Sequence, residues 1–136
     1  QGQFVAECHR VLRPGGLLLM STPNRITFSP GRDTPVNPFH TRELDAAELA
    51  ELLQTAGFAV EAMLGVHHSA RLAQLDARHG GSIIDAQIAR AVADAPWPAE
   101  LLADIESITI DDFDLHTDAS RDIDDSLDLV AIAVRP

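Results

Sequence analysis

Residues 9–24 read HRVLRPGGLLLMSTPN. The fold turns on whether Gly15 and Gly16 form a phosphate cradle or a helix-to-strand turn. Upstream, Phe4, Val5, Cys8, Val11 and Leu12 recur at the i, i+1, i+4, i+7, i+8 spacing of one apolar helical stripe. Glu7, Arg10 and Arg13 lie off that stripe, so the pattern predicts a helix over 3–13. Pro14 ends it by pushing Arg13 away from helical geometry. Downstream, Leu17, Leu18, Leu19 and Met20 are continuously apolar, which predicts a strand over 17–22 covered on both faces. A phosphate-binding glycine loop follows a strand and opens a helix. This pair does the reverse and reads as a turn. Cys8, on the apolar stripe, reads as a small core residue.

Residues 23–43 show no period and carry Pro23, Pro30, Pro35 and Pro38. A loop this long is usually functional or mobile. Asp45 and Glu48 then have the spacing of a capping box, with Leu44 and Leu49 placed as a hydrophobic staple. Leu49, Leu52, Leu53 and Ala56 form an apolar face, and Gly57 supplies a C-terminal stop. Phe58, Val60, Met63, Leu64 and Val66 predict a second strand. Helical segments follow at 69–77, 82–95 and 98–107, separated by HGG and PWP. An acidic loop over 108–126 leads to a last strand in LDLVAIAVRP, 127–136. The order implies an α/β fold. It reads as a single partial domain over 1–136, with a helix-strand-loop-helix-strand core at 1–68 and a helical insert or lid at 69–107.

The chain has 136 residues, ten of them basic and all ten arginine, and a net charge of −11. That balance disfavours nucleic-acid binding, because it repels the phosphate backbone. The absence of lysine removes Schiff-base chemistry. Cys8 is the single cysteine, so there is no internal disulfide and no cysteine-based zinc site. No apolar run reaches the roughly 18 residues of a membrane span. The N-terminus lacks a signal-peptide pattern, and the reducing cytoplasm is the expected compartment. The first residue is not Met, which suits a processed, tagged or fragmentary chain.

The stretch AECHRVLRPGGLLLMSTPN, followed after a loop by ELDAAELAELLQTAGFAV, resembles the second half of class I S-adenosylmethionine-dependent methyltransferases of the type 11-like group. The resemblance implies a C-terminal half of a Rossmann-like sheet. It has two parallel strands, a final antiparallel strand (DDSLDLVAIAVRP) between them, flanking helices and a helical insert. It covers 4–66 and 124–136. The family's cofactor signature, a strand with a Gly-x-Gly-type loop after it and an acidic residue one strand later, is not matched. The resemblance therefore implies S-adenosylmethionine as cofactor of a longer parent protein, with no cofactor-binding residue in this chain. A sheet edge left open in this way predicts self-association.

Ligands of open α/β sheets sit beyond the carboxyl ends of the strands. That rule gathers Asn24 and Arg25 after the first strand, His67 and His68 after the second, and Asp33, Asn37, His40, Arg42 and Glu43 from the loop between. His40 is the candidate general base for an acceptor hydroxyl or amine; the alternative is an ordinary loop histidine. The segment NPFHTREL also resembles one facing the acceptor pocket in that family. Asn24, Arg25, Arg42, His67, His68 and Trp97 are candidate substrate contacts. Adjacent His67 and His68 point to opposite faces of a strand, so at most one aims at the cleft. Trp97, between two prolines, either stacks on a sugar or aromatic acceptor or plugs a helix joint. His40-x-x-Glu43 has a metal-like spacing, but it precedes the helix cap, and magnesium prefers carboxylates and water. No metal is expected. The aspartates from Asp111 to Asp128 lack the central Gly and terminal Glu of an EF-hand and read as a solvated loop. The expected activity is the acceptor side of methyl transfer to a small molecule, sugar or lipid. The opposing reading is a non-catalytic binding or structural fragment.

Overall fold

A computed structural model describes residues 1–136 except 33, 36–38 and 117–120. The expected contributions of Asp33, Asn37 and Asp118 lie outside the described residues. The chain divides into two compact units, Gln1–His67 with Leu115–Pro136, and His68–Asp114.

The first unit begins with α1 (Gly2–Val11) and β1 (Leu17–Pro23). The helix stops two residues short of the expected end. Leu12 is already extended at φ −71, ψ 143, and Arg135 donates from its guanidinium to the carbonyls of Leu12 and Arg10, which the ended helix leaves without amide partners. The glycine pair is a turn. Gly15 N–H donates to the Arg135 carbonyl at 2.8 Å, and Gly16 N–H donates to the Arg13 carbonyl at 2.8 Å. A Cβ on Gly16 would meet the Arg13 carbonyl oxygen at 2.7 Å, so only glycine fits the close approach.

The loop after β1 holds a single turn, α2 (Arg25–Phe28), which sequence reasoning did not foresee. Asn24 nucleates it by accepting the Ile26 N–H on its side chain. The loop closes on itself where Asn24 and Leu44 form a parallel bridge and Arg25 N–H donates to the Leu44 carbonyl at 3.0 Å. Next comes α3 (Ala46–Thr55), with both halves of the Asp45–Glu48 capping box in place. The strands β2 (Ala59–His68), β3 (Phe113–His116) and β4 (Asp128–Val134) complete a sheet of order β1-β4-β2-β3. Strand β4 pairs antiparallel with β1, from Leu17↔Val134 to Pro23↔Asp128. It pairs antiparallel with β2 as well, from Ala59↔Val134 to Val66↔Asp128, with a bulge between Val60 and Ala62. β1 and β2 therefore run the same way, separated by β4. Strand β3 and the 3₁₀ turns Ile110–Asp112 and Ile123–Asp125 replace much of the expected acidic loop.

One face of the sheet is sealed. Val5 of α1, Leu49 and Leu53 of α3, and Leu44 and Phe58 pack with Leu129, Ala131 and Ala133 of β4. Leu18 and Met20 of β1 join this core. Their neighbours do not: Leu17 and Leu19 are 59% and 66% exposed. The expectation of a strand covered on both faces is thus corrected. β1 alternates, because α1 and α3 pack against the face that carries Leu18 and Met20. Phe4 and Val11 of the α1 stripe are exposed as well, each at 63%.

The second unit holds α4 (Ala70–Arg78), α5 (Ile83–Val92) and α6 (Ala99–Glu106) around Leu72, Leu75, Ile83 and Leu101. Ser69 and Ser82 cap α4 and α5. Buried carboxylates tie the unit together. Asp76 accepts the Ile83 N–H at 2.8 Å, Asp104 meets Arg78 and His79 at 3.0 and 2.7 Å, and Asp112 meets Arg71 at 2.5 Å. Arg71 holds the Asp112 carboxyl below the usual aspartate range, with the Thr109 N–H assisting. Among the described residues no helix is long and apolar enough to cross a membrane.

Candidate functional site

The carboxyl end of β1 and the loop that follows hold most of the candidate site residues of the first unit. Ser29 closes α2, and Glu43 precedes the α3 cap; both are buried, at 2% and 3% exposure. A buried carboxylate needs partners. Ser29 Oγ–H donates to Glu43 Oε2 in a short hydrogen bond, and His40 Nδ1 lies 2.8 Å from Glu43 Oε1. Glu43 therefore faces the Nδ1 side of the imidazole. Phe28 lies against the His40 ring, with centroids 5.8 Å apart. Glu43 thus meets the ring at Nδ1, and Phe28 lies near its face. Ser29 is the residue that sequence reasoning missed; Glu43 was gathered to the same rim, but without this pairing. The His40-x-x-Glu43 spacing was visible, but as a metal pattern. Among the described residues no group of three or more His, Cys, Asp or Glu side chains converges to hold a metal.

Two clefts share the wall formed by Thr41, Arg42 and Glu43. One, of about 230 Å³, is lined by His40 and Phe39 together with Thr22 and Pro23 from the end of β1. The other, of about 320 Å³, is lined by Arg25, Arg32 and Arg42 with Ser29, Thr34 and Glu48. An ion-pair network fixes its floor. Arg25 reaches Asp45 at 2.5 Å and Glu48 at 3.3 Å, and Arg42 reaches Glu48 at 2.9 Å. The Glu48 carboxyl is held down to about 2, first by the Asp45 backbone N–H, then by Arg42 and Arg25.

The other sequence candidates separate. Asn24 is fully buried. Its amide nitrogen lies 3.1–3.2 Å from the carbonyls of Ile123, Asp124 and Ser126 and from Ser126 Oγ. It holds the loop to the segment that leads into β4. Its sequence signal, a short polar side chain after a proline, does not separate anchoring the loop from contacting a substrate. His67 is buried, with its ring edge-on to His116 at 5.6 Å. A Cβ on Gly65 would meet His67 Nε2 and Ser126 Cβ, each at 2.7 Å, so β2 needs glycine there. His68, on the opposite face of β2, pairs with Asp76 at 2.6 Å in the second unit. Trp97 lies between α5 and α6 and is 37% exposed. Arg25 and Arg42 line the larger cleft with their charges already paired.

The Gly15 and Gly16 amides are spent on backbone carbonyls, and Gly81 N–H donates to the Asp76 carbonyl at the end of α4.

No protein-family profile matches the chain, and no solved structure does. Curated relatives do match along its whole length. A protein of Mycolicibacterium smegmatis named a probable S-adenosylmethionine-dependent methyltransferase is 76% identical over 136 residues, which is 53% of that protein. Proteins of the same name from two strains of Mycobacterium tuberculosis are 67% identical over 137 residues, 50% of their length. From end to end, then, the chain is similar to about half of proteins named probable S-adenosylmethionine-dependent methyltransferases.

Proposed function

We propose that the chain is the acceptor-side part of an S-adenosylmethionine-dependent methyltransferase of class I, type 11-like, built on a Rossmann-like sheet. The acceptor is a small molecule, a sugar or a lipid, and the cofactor is held by residues outside this chain. The observation that carries the reading is the oriented His40, set beside a cleft at the carboxyl end of β1. The identity to half of proteins with that name supports it. In this reading the acceptor enters the cleft lined by Thr22, Pro23, Phe39 and His40. His40 Nε2 takes the proton that the acceptor hydroxyl or amine gives up, while Glu43 and Ser29 keep the ring in position. The test is transfer of a labelled methyl group by a protein of the relatives' length carrying this sequence, with and without His40→Ala. Label transfer that is lost in the variant and partly restored by added imidazole supports the reading. Undiminished transfer by the variant removes His40 from the chemistry.

A second proposal concerns partners. With Leu17, Leu19, Phe4 and Val11 exposed and β1 at the end of the sheet, the 136-residue chain by itself associates with further copies through this edge. The acidic balance argues against nucleic acid as a partner.

A further inference from the structure

The larger cleft has a charge pattern that the proton transfer at His40 does not use. The chain carries a net charge of −11, yet three of its ten basic residues, Arg25, Arg32 and Arg42, line this one cleft. Two of the three are committed, Arg25 to Asp45 and Glu48, and Arg42 to Glu48. The carboxylates in the lining are engaged as well. Glu43 accepts from Ser29 and His40, and Glu48 accepts from Arg25, Arg42 and the Asp45 N–H. Arg32 is different. Among the described residues its guanidinium makes no ion pair and no side-chain hydrogen bond, and it lies on the wall of the cleft. Thr34 and Thr41, each with a hydroxyl to offer, line the same space. An arginine fork, neighbouring hydroxyls and a floor whose carboxylates are already satisfied form a receptor for a planar or tetrahedral oxyanion. At about 320 Å³ the cleft is larger than a bare inorganic anion and has room for an organic body attached to one.

We propose that this cleft binds an oxyanion, a carboxylate or phosphate carried by the methyl acceptor, with Arg32 as its charged ligand. Placing the anion on the acceptor rests on the methyltransferase reading; the anion site itself does not. Anchoring the acceptor at Arg32, across the shared Thr41–Glu43 wall, would fix the group presented to His40. The acceptor is then an acidic small molecule or an acidic sugar or lipid headgroup, in place of a neutral one.

The experiment uses the 136-residue chain, titrated with inorganic phosphate and separately with acetate in low-chloride buffer, followed by amide chemical shifts. Saturable shifts confined to residues around the cleft are expected with at least one anion. Arg32→Ala should weaken that binding about tenfold or more, and Arg32→Lys less. Arg13→Ala, an exposed arginine outside the cleft, should leave it unchanged. The stronger anion names the group, carboxylate or phosphate. Unsaturable shifts, or equal weakening by Arg13→Ala and Arg32→Ala, would overturn the proposal by showing general charge attraction. Anion binding that persists while the longer protein transfers no methyl group would sink the methyltransferase reading and leave the site standing.

Discussion

His40 Nδ1 sits 2.8 Å from a carboxylate oxygen of Glu43, a residue only 3% exposed whose other oxygen is held by Ser29. The pair joins an accessible ring to a buried anchor three residues away. In the proposed reading Glu43 acts through His40, as a positioning residue. Glu43→Gln should therefore lower kcat for methyl transfer by about a hundredfold, the cost of an ångström-scale misplacement, with KM for the acceptor little changed. A role confined to stability would instead lower the folded fraction and leave the activity per folded molecule intact. Activity normalised to folded protein, measured by thermal denaturation, separates the two. His40→Ala should cost about 10² to 10⁴ in kcat.

Asn24 joins the end of β1 to the segment before β4 through four acceptors. Asn24→Ala removes the amide and leaves buried carbonyls short of donors. Urea denaturation should show a loss of about 2–3 kcal/mol. A loss within about 0.5 kcal/mol, the range of an ordinary surface substitution, would contradict the structural role.

Gly16 separates a turn from a cradle. Gly16→Ala drives a Cβ into the Arg13 carbonyl at 2.7 Å and should lower the thermal midpoint of the chain. Anion binding at the Arg32 cleft should stay unchanged. A variant that keeps its midpoint but loses ligand binding would restore the cradle reading.

The Glu48 carboxyl falls from 4.5 in an unstructured chain to about 2 in the folded one. A depressed carboxyl adds stability that is complete above 4.5 and is lost as pH falls from there toward 2. Stability measured over that window should decline with falling pH more steeply in the native chain than in Glu48→Gln. Added salt should shrink the difference, because the pairs with Arg25 and Arg42 are partly solvated.

Where local rules and tertiary packing agree, the sequence was legible. The α3 helix carried its capping box, staple and glycine stop in plain order, and the structure places each. The Pro-Gly-Gly turn and the Val- and Ile-rich β4 were equally readable. Strand β3 was not. Phe113 and Leu115 remain 40% and 55% exposed, so β3 owes its form to a place in the sheet, which no local pattern announces. The exposure of Leu17 and Leu19 was missed for a related reason: a continuous apolar run implies two covered faces, and the described chain covers one. Rim topology gathered Arg25, His40 and Arg42, and the structure places them around two neighbouring clefts. It did not distinguish Asn24, which is fully buried, from Arg42, which lines both clefts. The His40–Glu43 pairing depends on the loop closing at Asn24 and Leu44, a long-range event with no signature in residue spacing.

The account stands or falls on where the cofactor binds. Calorimetric titration of S-adenosylmethionine into the 136-residue chain, and into a protein of the relatives' length carrying it, tests this directly. The account predicts no measurable heat of binding to the shorter chain and micromolar affinity for the longer one. Micromolar binding to the 136-residue chain alone would contradict it.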